Sequence, residues 1–162
     1  MKRKKDIAIT WTEYDSPEDL GSADRELLMA AKSVTGNAWA PYSGFNVGAA
    51  LRMDDGTIIT GTNVENAAFP SGICAERNVL STAVSGYPGK KPVALAIAAA
   101  RGVKLTDEPV SPCGNCRQVI AEEEYRSQCS IRIILSGENK IMVFESGKDL
   151  LPLQFSRENL KI

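Results

Sequence analysis

Apolar residues follow two rhythms along this chain, one of helical period and one of strand period, and the switches between them outline its elements. Leu27, Leu28, Ala31 and Val34 sit at helical spacing behind Ser22-Ala-Asp-Arg-Glu26, which reads as a cap and acidic first turn. A helix from about Ser22 to Asn37 is predicted, broken by Pro41-Tyr-Ser-Gly44. Phe45 to Met53 and the β-branched run Thr57 to Asn63 flank Asp55-Gly56, a hairpin signal, and predict an antiparallel pair. Ala67 to Ile73, carrying Pro70 and Gly72, reads as a loop that delivers Cys74 to a helix ending near Ser85. Val93 to Ala100 is a continuous run of small apolar residues, as in a strand covered on both faces. Cys113 to about Tyr125 has amphipathic helical spacing with an acidic tail, and Ile131 to Leu135 and Lys140 to Phe144 complete the strands.

Strands and helices in this order predict an α/β fold of three layers, α/β/α, around a central mixed sheet of about five strands. At 162 residues and 43% hydrophobic, the chain fits a single domain that buries its core without disulfides. Residues 1–20 read as an amino-terminal extension in which Ile7, Ile9 and Trp11 alternate as in a short edge strand; residues 21–162 form the domain proper.

Composition narrows the chemistry. The chain has 4 Cys and no His, so neither a Ser-His-Asp triad nor a two-His metal site can be assembled from it. Proton transfer then falls to a carboxylate, Lys, Tyr or thiol. A net charge of -1 and a pI near 5.6 give no basic footprint for a nucleic acid, and none is expected as a partner. No apolar run approaches membrane-spanning length, so no membrane partner is expected either. Lys2-Arg-Lys-Lys5 imitates the start of a secretory leader, but Asp6 to Glu13 supplies neither a long apolar core nor a cleavage site. A cytoplasmic location is expected, where cysteine clusters serve metal binding or catalysis more often than crosslinking.

Cys74-Ala-Glu76 and Pro112-Cys113-Gly-Asn-Cys116 carry the most information. Two sulfurs three residues apart at the opening turn of a helix can converge on one ion, and Gly114 would leave room for that approach. Taken alone, the Cys113/Cys116 pair also admits a redox dithiol or plain burial, but the dithiol reading leaves Glu76 unexplained. Three protein ligands, Cys74, Cys113 and Cys116, would leave a fourth position on Zn²⁺ open to water, whereas a structural site is normally closed by four. Glu76, two residues from Cys74, would lie beside the ion rather than bind it; its alternative is an acid favoured by the helix dipole. Three thiolates on Zn²⁺ carry a net negative charge that Arg77 and two helix N-termini would offset. Arg117 reads as a solvated or intersubunit residue, and Cys129 as an incidental thiol.

Pro41-Tyr-Ser-Gly-Phe-Asn-Val-Gly-Ala-Ala50, Asn63-Val-Glu-Asn66, Cys74-Ala-Glu-Arg77 and Pro112-Cys-Gly-Asn-Cys-Arg-Gln118 together resemble the small homotetrameric zinc-dependent cytidine deaminases, over about Leu27 to Phe155. The resemblance implies hydrolytic deamination of cytidine and deoxycytidine to uridine and deoxyuridine with release of ammonia, a pyrimidine salvage reaction. It also implies a homotetramer with shared active sites. In its terms Glu76 moves protons from the attacking water to the pyrimidine N3 and the departing amine. Asn63 and Glu65 hold the ribose hydroxyls, the Ala75 amide binds the pyrimidine O2, and the Ser111 carbonyl accepts from the amino group. Phe45 packs at the base, and Phe155 covers it from a neighbouring subunit. Read by themselves, Asn63 is a turn residue, Glu65 a loop charge and both phenylalanines core aromatics. Phe69 stands where the family often has an aromatic hydroxyl, and Leu153-Gln154 replaces a smaller pair. Deamination of a related nucleoside antibiotic and a nucleoside-binding module without turnover are the rival readings.

Overall fold

The computed structural model describes residues 2–160. The described residues form seven strands, β1 (Thr12–Tyr14), β2 (Phe45–Met53), β3 (Ile58–Thr62), β4 (Pro92–Arg101), β5 (Lys104–Leu105), β6 (Arg132–Ser136) and β7 (Ile141–Phe144). They make one sheet of order β1-β7-β6-β4-β2-β3, with β5 pairing to β4. Among the paired strands of the described residues only β4 and β6 run parallel, an arrangement that the intervening helical crossover permits. The five longer strands are those expected from the hydrophobic pattern. The two short ones, β1 and β5, raise the count from about five to seven.

Helices α1 (Ser22–Val34), α2 (Ala75–Gly86) and α3 (Gly114–Ser127) cover the sheet, and a short α4 (Arg157–Leu160) follows near the end of the described chain. Alternation along the strands divides the core into two layers. Leu51, Leu95, Ile97, Ile133 and Leu135 face Val79 and Leu80 of α2 and Ile120 of α3. Ala50, Ala94, Ala96 and Ile134 face Leu27, Leu28 and Ala31 of α1. The second face is lined with small residues because α1 lies almost against the sheet backbone. A Cβ at Gly48 would stand 2.2 Å from the Ala31 carbonyl oxygen.

The Asp55-Gly56 turn closes the β2–β3 hairpin as expected, with Gly56 at φ 88° and Met53 N–H bonded to Thr57 O at 2.9 Å. Two expectations shift by a few residues. The N-cap of α1 is Gly21 rather than Ser22, because buried Leu20 packs with the α1 cluster and fixes where the chain enters the helix. The edge strand lies at Thr12–Tyr14 rather than around Ile7 and Ile9, because Tyr14 and Thr12 find partners in Ile141 and Val143 of the four-residue β7. Among the described residues, no helix is long and apolar enough to cross a membrane.

Candidate active site

Both cysteine clusters sit where a loop enters a helix. Cys74 is the N-cap of α2 and Cys113 the N-cap of α3, each with extended backbone, so their sulfurs lie at the positive ends of two helix dipoles. Cys116, on the first turn of α3, is buried, and its backbone N–H points to the Cys113 sulfur at 3.4 Å. The Sγ atoms of Cys74, Cys113 and Cys116 all fall within 4.8 Å of one another. An all-sulfur set of this size suits a borderline-soft divalent ion, and three donors leave the fourth position of a tetrahedral zinc unclaimed by protein. A Cβ at Gly114 would meet nothing within 4 Å, so the close approach expected to require glycine there is not what selects it.

The Cys113 and Cys116 sulfurs lie 3.4 Å apart, within reach of a thiol hydrogen bond. The Cys74 thiol is lowered to about 6, first by the hydrogen bond from Cys116, with Cys113 and the charge of Arg77 adding to it. The same contact pushes the Cys116 thiol up, and burial adds to the rise. A divalent cation replaces the thiol protons and lets all three sulfurs be anionic together. The charge of half-buried Arg77 acts on the cluster at Cys74.

Glu76 occupies the first turn of α2 and is 5% exposed. Burial raises its pKa, with its own backbone N–H and the Cys116 thiol working against the rise. It opens onto a cavity of about 670 Å³ that Cys74, Ala75, Cys113, Ser111, Phe45, Asn63 and Glu65 also line. Ala75 is the first residue of α2, a position whose N–H has no intrahelical partner.

Asn63-Val64-Glu65 also lines the cavity and is strung between two loops. Val64 exchanges both backbone hydrogen bonds with Ile73, while Trp39 N–H bonds Asn63 O and Glu65 N–H bonds Trp39 O. In this extended stretch Asn63 and Glu65 fall on one side, two residues apart, and both face the cavity. Asn63 Oδ1 accepts from Val47 N–H at 2.8 Å and its Nδ2 donates to Phe45 O at 2.9 Å, leaving one N–H and one lone pair of the amide uncommitted. Glu65 accepts from the Tyr42 and Ser43 amides at 2.9 and 3.2 Å and from the Ser43 hydroxyl. These bonds hold its carboxyl below the usual carboxylate range, the Ser43 hydroxyl contributing most. The Phe45 ring is backed by the Arg101 guanidinium, 5.3 Å from its centroid.

Phe155 stands apart. It is 59% exposed and does not line this chain's cavity, and its carbonyl accepts from Gln118 Nε2 at 2.7 Å. Tyr42 and Ser43, which the sequence marks as part of a helix-breaking turn and of the Pro41–Ala50 motif without a role of their own, hold Glu65. A Ser two residues ahead of a strand, able to accept from the Phe45 amide, was the available signal. Arg117 is half-buried and donates to the carbonyls of Pro112 and Leu150.

Residues 22–132 match the family model for the cytidine and deoxycytidylate deaminase zinc-binding region. The cytidine deaminase of Sporosarcina psychrophila is 42% identical over 136 residues, 83% of this chain and 93% of that protein. That of Halalkalibacterium halodurans is 48% identical over 100 residues, 61% of this chain and 71% of its own length. A crystal structure of cytidine deaminase from Burkholderia pseudomallei superposes with a TM-score of 0.70 at 38% identity, covering 80% of this chain and 97% of that one. With this fold, this cavity and these relatives, the chain belongs to the cytidine and deoxycytidylate deaminase family.

Proposed function

We propose that the protein hydrolyses the exocyclic amine of cytidine and deoxycytidine, yielding uridine or deoxyuridine and ammonia in pyrimidine salvage. The observation that carries this reading is the placement of a buried acid, Glu76, beside three converging sulfurs in a cavity that Asn63 and Glu65 also line. Cys74, Cys113 and Cys116 would hold zinc, which when bound supplies a Lewis acid that makes water nucleophilic at neutral pH.

The chain's own residues do the rest. Glu76 as the carboxylate takes a proton from the attacking water and passes it to the pyrimidine N3 while the oxygen bonds C4, and its burial favours the protonated state in between. It then takes the remaining proton of that oxygen and delivers it to the amine as the C4–N bond breaks and the C4 carbonyl forms. Ala75 N–H holds the pyrimidine O2, the Ser111 carbonyl accepts from the amino group, and Phe45 packs against the base. Glu65, kept ionised by Tyr42 and Ser43, accepts from a sugar hydroxyl, and the uncommitted N–H of Asn63 donates to another. Two neutral hydroxyls suit this wall better than a phosphate would, since Glu65 is itself anionic.

Residues 21–162 act as the catalytic domain, with 1–20 as an extension whose β1 strand adds to the sheet edge away from β3 and Asn63. The protein works as a cytoplasmic homotetramer, in which exposed Phe155 of one subunit closes a neighbour's cavity beside exposed Tyr42 and Phe69. Ammonia release from cytidine, deoxycytidine, cytosine, CMP, adenosine and a cytosine nucleoside antibiotic tests substrate class. Turnover confined to the first two supports the reading, and a preference for CMP or the antibiotic rejects it. Light scattering of the active protein tests assembly, and an active monomer would remove the shared-site part.

A further inference from the structure

We infer that Arg117 is a positioning residue for the metal ligand Cys113, gripping the peptide carbonyls on both sides of it and bracing them against the carboxy-terminal segment. The inference rests on the zinc reading of the cysteine cluster.

Of the three sulfur donors, Cys113 is the exposed one, and it ends the irregular stretch leading from β5 to α3. Its neighbour Pro112 brings no N–H with which to anchor that stretch. Arg117 makes up the difference twice. Its backbone N–H bonds the Cys113 carbonyl at 2.9 Å as the first turn of α3 closes, and its side-chain Nε bonds the Pro112 carbonyl at 2.8 Å. One residue thus holds the two carbonyls that bracket the Cα of the ligand, which limits how far the Cys113 sulfur can swing from those of Cys74 and Cys116.

The guanidinium itself is fixed. Nη1 donates to the Leu150 carbonyl at 3.0 Å, at the end of a 3-10 turn (Gly147–Leu150) that Glu124 of α3 anchors through the Gly147 and Lys148 amides. A planar fork can bond two carbonyls in different directions at once, whereas an ammonium on a flexible stem orders them less well. Groups that orient metal ligands from behind typically change metal affinity by about tenfold to a hundredfold when removed. Gln118 on the same turn provides an internal comparison, since among the described residues its side chain bonds the carboxy-terminal segment at Phe155 O and makes no hydrogen bond to the Pro112–Cys113 peptide.

Competition with a chromogenic zinc chelator, using the full-length protein with native far-UV circular dichroism, tests the assignment. Arg117→Met is expected to weaken zinc binding about tenfold or more, Arg117→Lys to recover part of that loss, and Gln118→Ala to leave zinc binding within about twofold of wild type. If Arg117→Met does not fold, the Arg117→Lys and Gln118→Ala pair carries the comparison. Wild-type affinity in the folded Arg117 variants would overturn the assignment, as would a loss in Gln118→Ala as large as theirs, because the effect would then come from the tail. Wild-type protein that binds no zinc would overturn the site reading along with it.

Discussion

Glu124 offers the clearest energetic test of how the metal-bearing helix is tied to the rest of the molecule. Its side chain is 2% exposed and serves as the acceptor for groups on two other segments. Oε1 takes Ile131 N–H at 2.7 Å, Gly147 N–H at 2.8 Å and the Ser146 hydroxyl at 3.0 Å, while Oε2 takes Lys148 N–H at 3.2 Å and shares the Ser146 hydroxyl. The Ile131 and Gly147 amides are buried, whereas Ser146 and Lys148 can regain water. An orphaned buried donor costs about 1–3 kcal/mol, so Glu124→Ala, which orphans two, should destabilise by about 3 kcal/mol once water entering the space left behind is allowed for. At about 2–4 °C per kcal/mol for a chain of this size, Tm should fall by about 6–12 °C. Glu124→Gln keeps an oxygen for both buried amides and misplaces an NH₂ only against Lys148, which should cost about 1 kcal/mol. Thermal and urea unfolding of both variants measure this. A Glu124→Ala protein within about 0.5 kcal/mol of wild type, or a Gln variant as damaged as the Ala one, would refute the reasoning.

Other consequences follow from the same geometry. Glu65→Gln should raise KM for cytidine by at least about tenfold with a smaller change in kcat, since it removes the ionised acceptor proposed for a sugar hydroxyl; a fall in kcat as large as the rise in KM would place Glu65 elsewhere in the reaction. Asp55, held by the Thr57 amide, has its carboxyl lowered to about 2 from 3.8. A depressed folded-state pKa contributes stability that is full above about pH 4 and lost as pH falls through about 2, so Asp55→Asn should flatten that part of the acid-unfolding profile and leave the pH dependence near neutrality unchanged. An unchanged acid limb would count against the turn contact.

Much of this was legible from local signals. Cys74 and Cys113 each follow a loop marked by Pro or Gly and precede a helical apolar repeat, which is enough to place both sulfurs at helix N-termini. The β2–β3 hairpin was legible from Asp55-Gly56 because that dipeptide tolerates the positive φ the turn requires. What stayed hidden depends on partners distant in sequence. Glu124 reads as one acid in a charged helix tail, since the amides that bury it arrive from residues 131 and 146–148. Arg117 reads as a surface charge until Leu150, 33 residues later, comes back to it. Ile7 and Ile9 alternate as a strand would, but among the described residues neither has a place in the β1–β7 ladder, and both remain exposed.

In the proposed reaction Glu76 moves the proton and the three cysteines supply the zinc site. Glu76→Ala protein, assayed for metal content and ammonia release from cytidine on one sample, tests it most directly. About one zinc per chain with turnover reduced by about a hundredfold or more is the predicted result. Ammonia release comparable to wild type, or full activity in protein that contains no zinc, would contradict it.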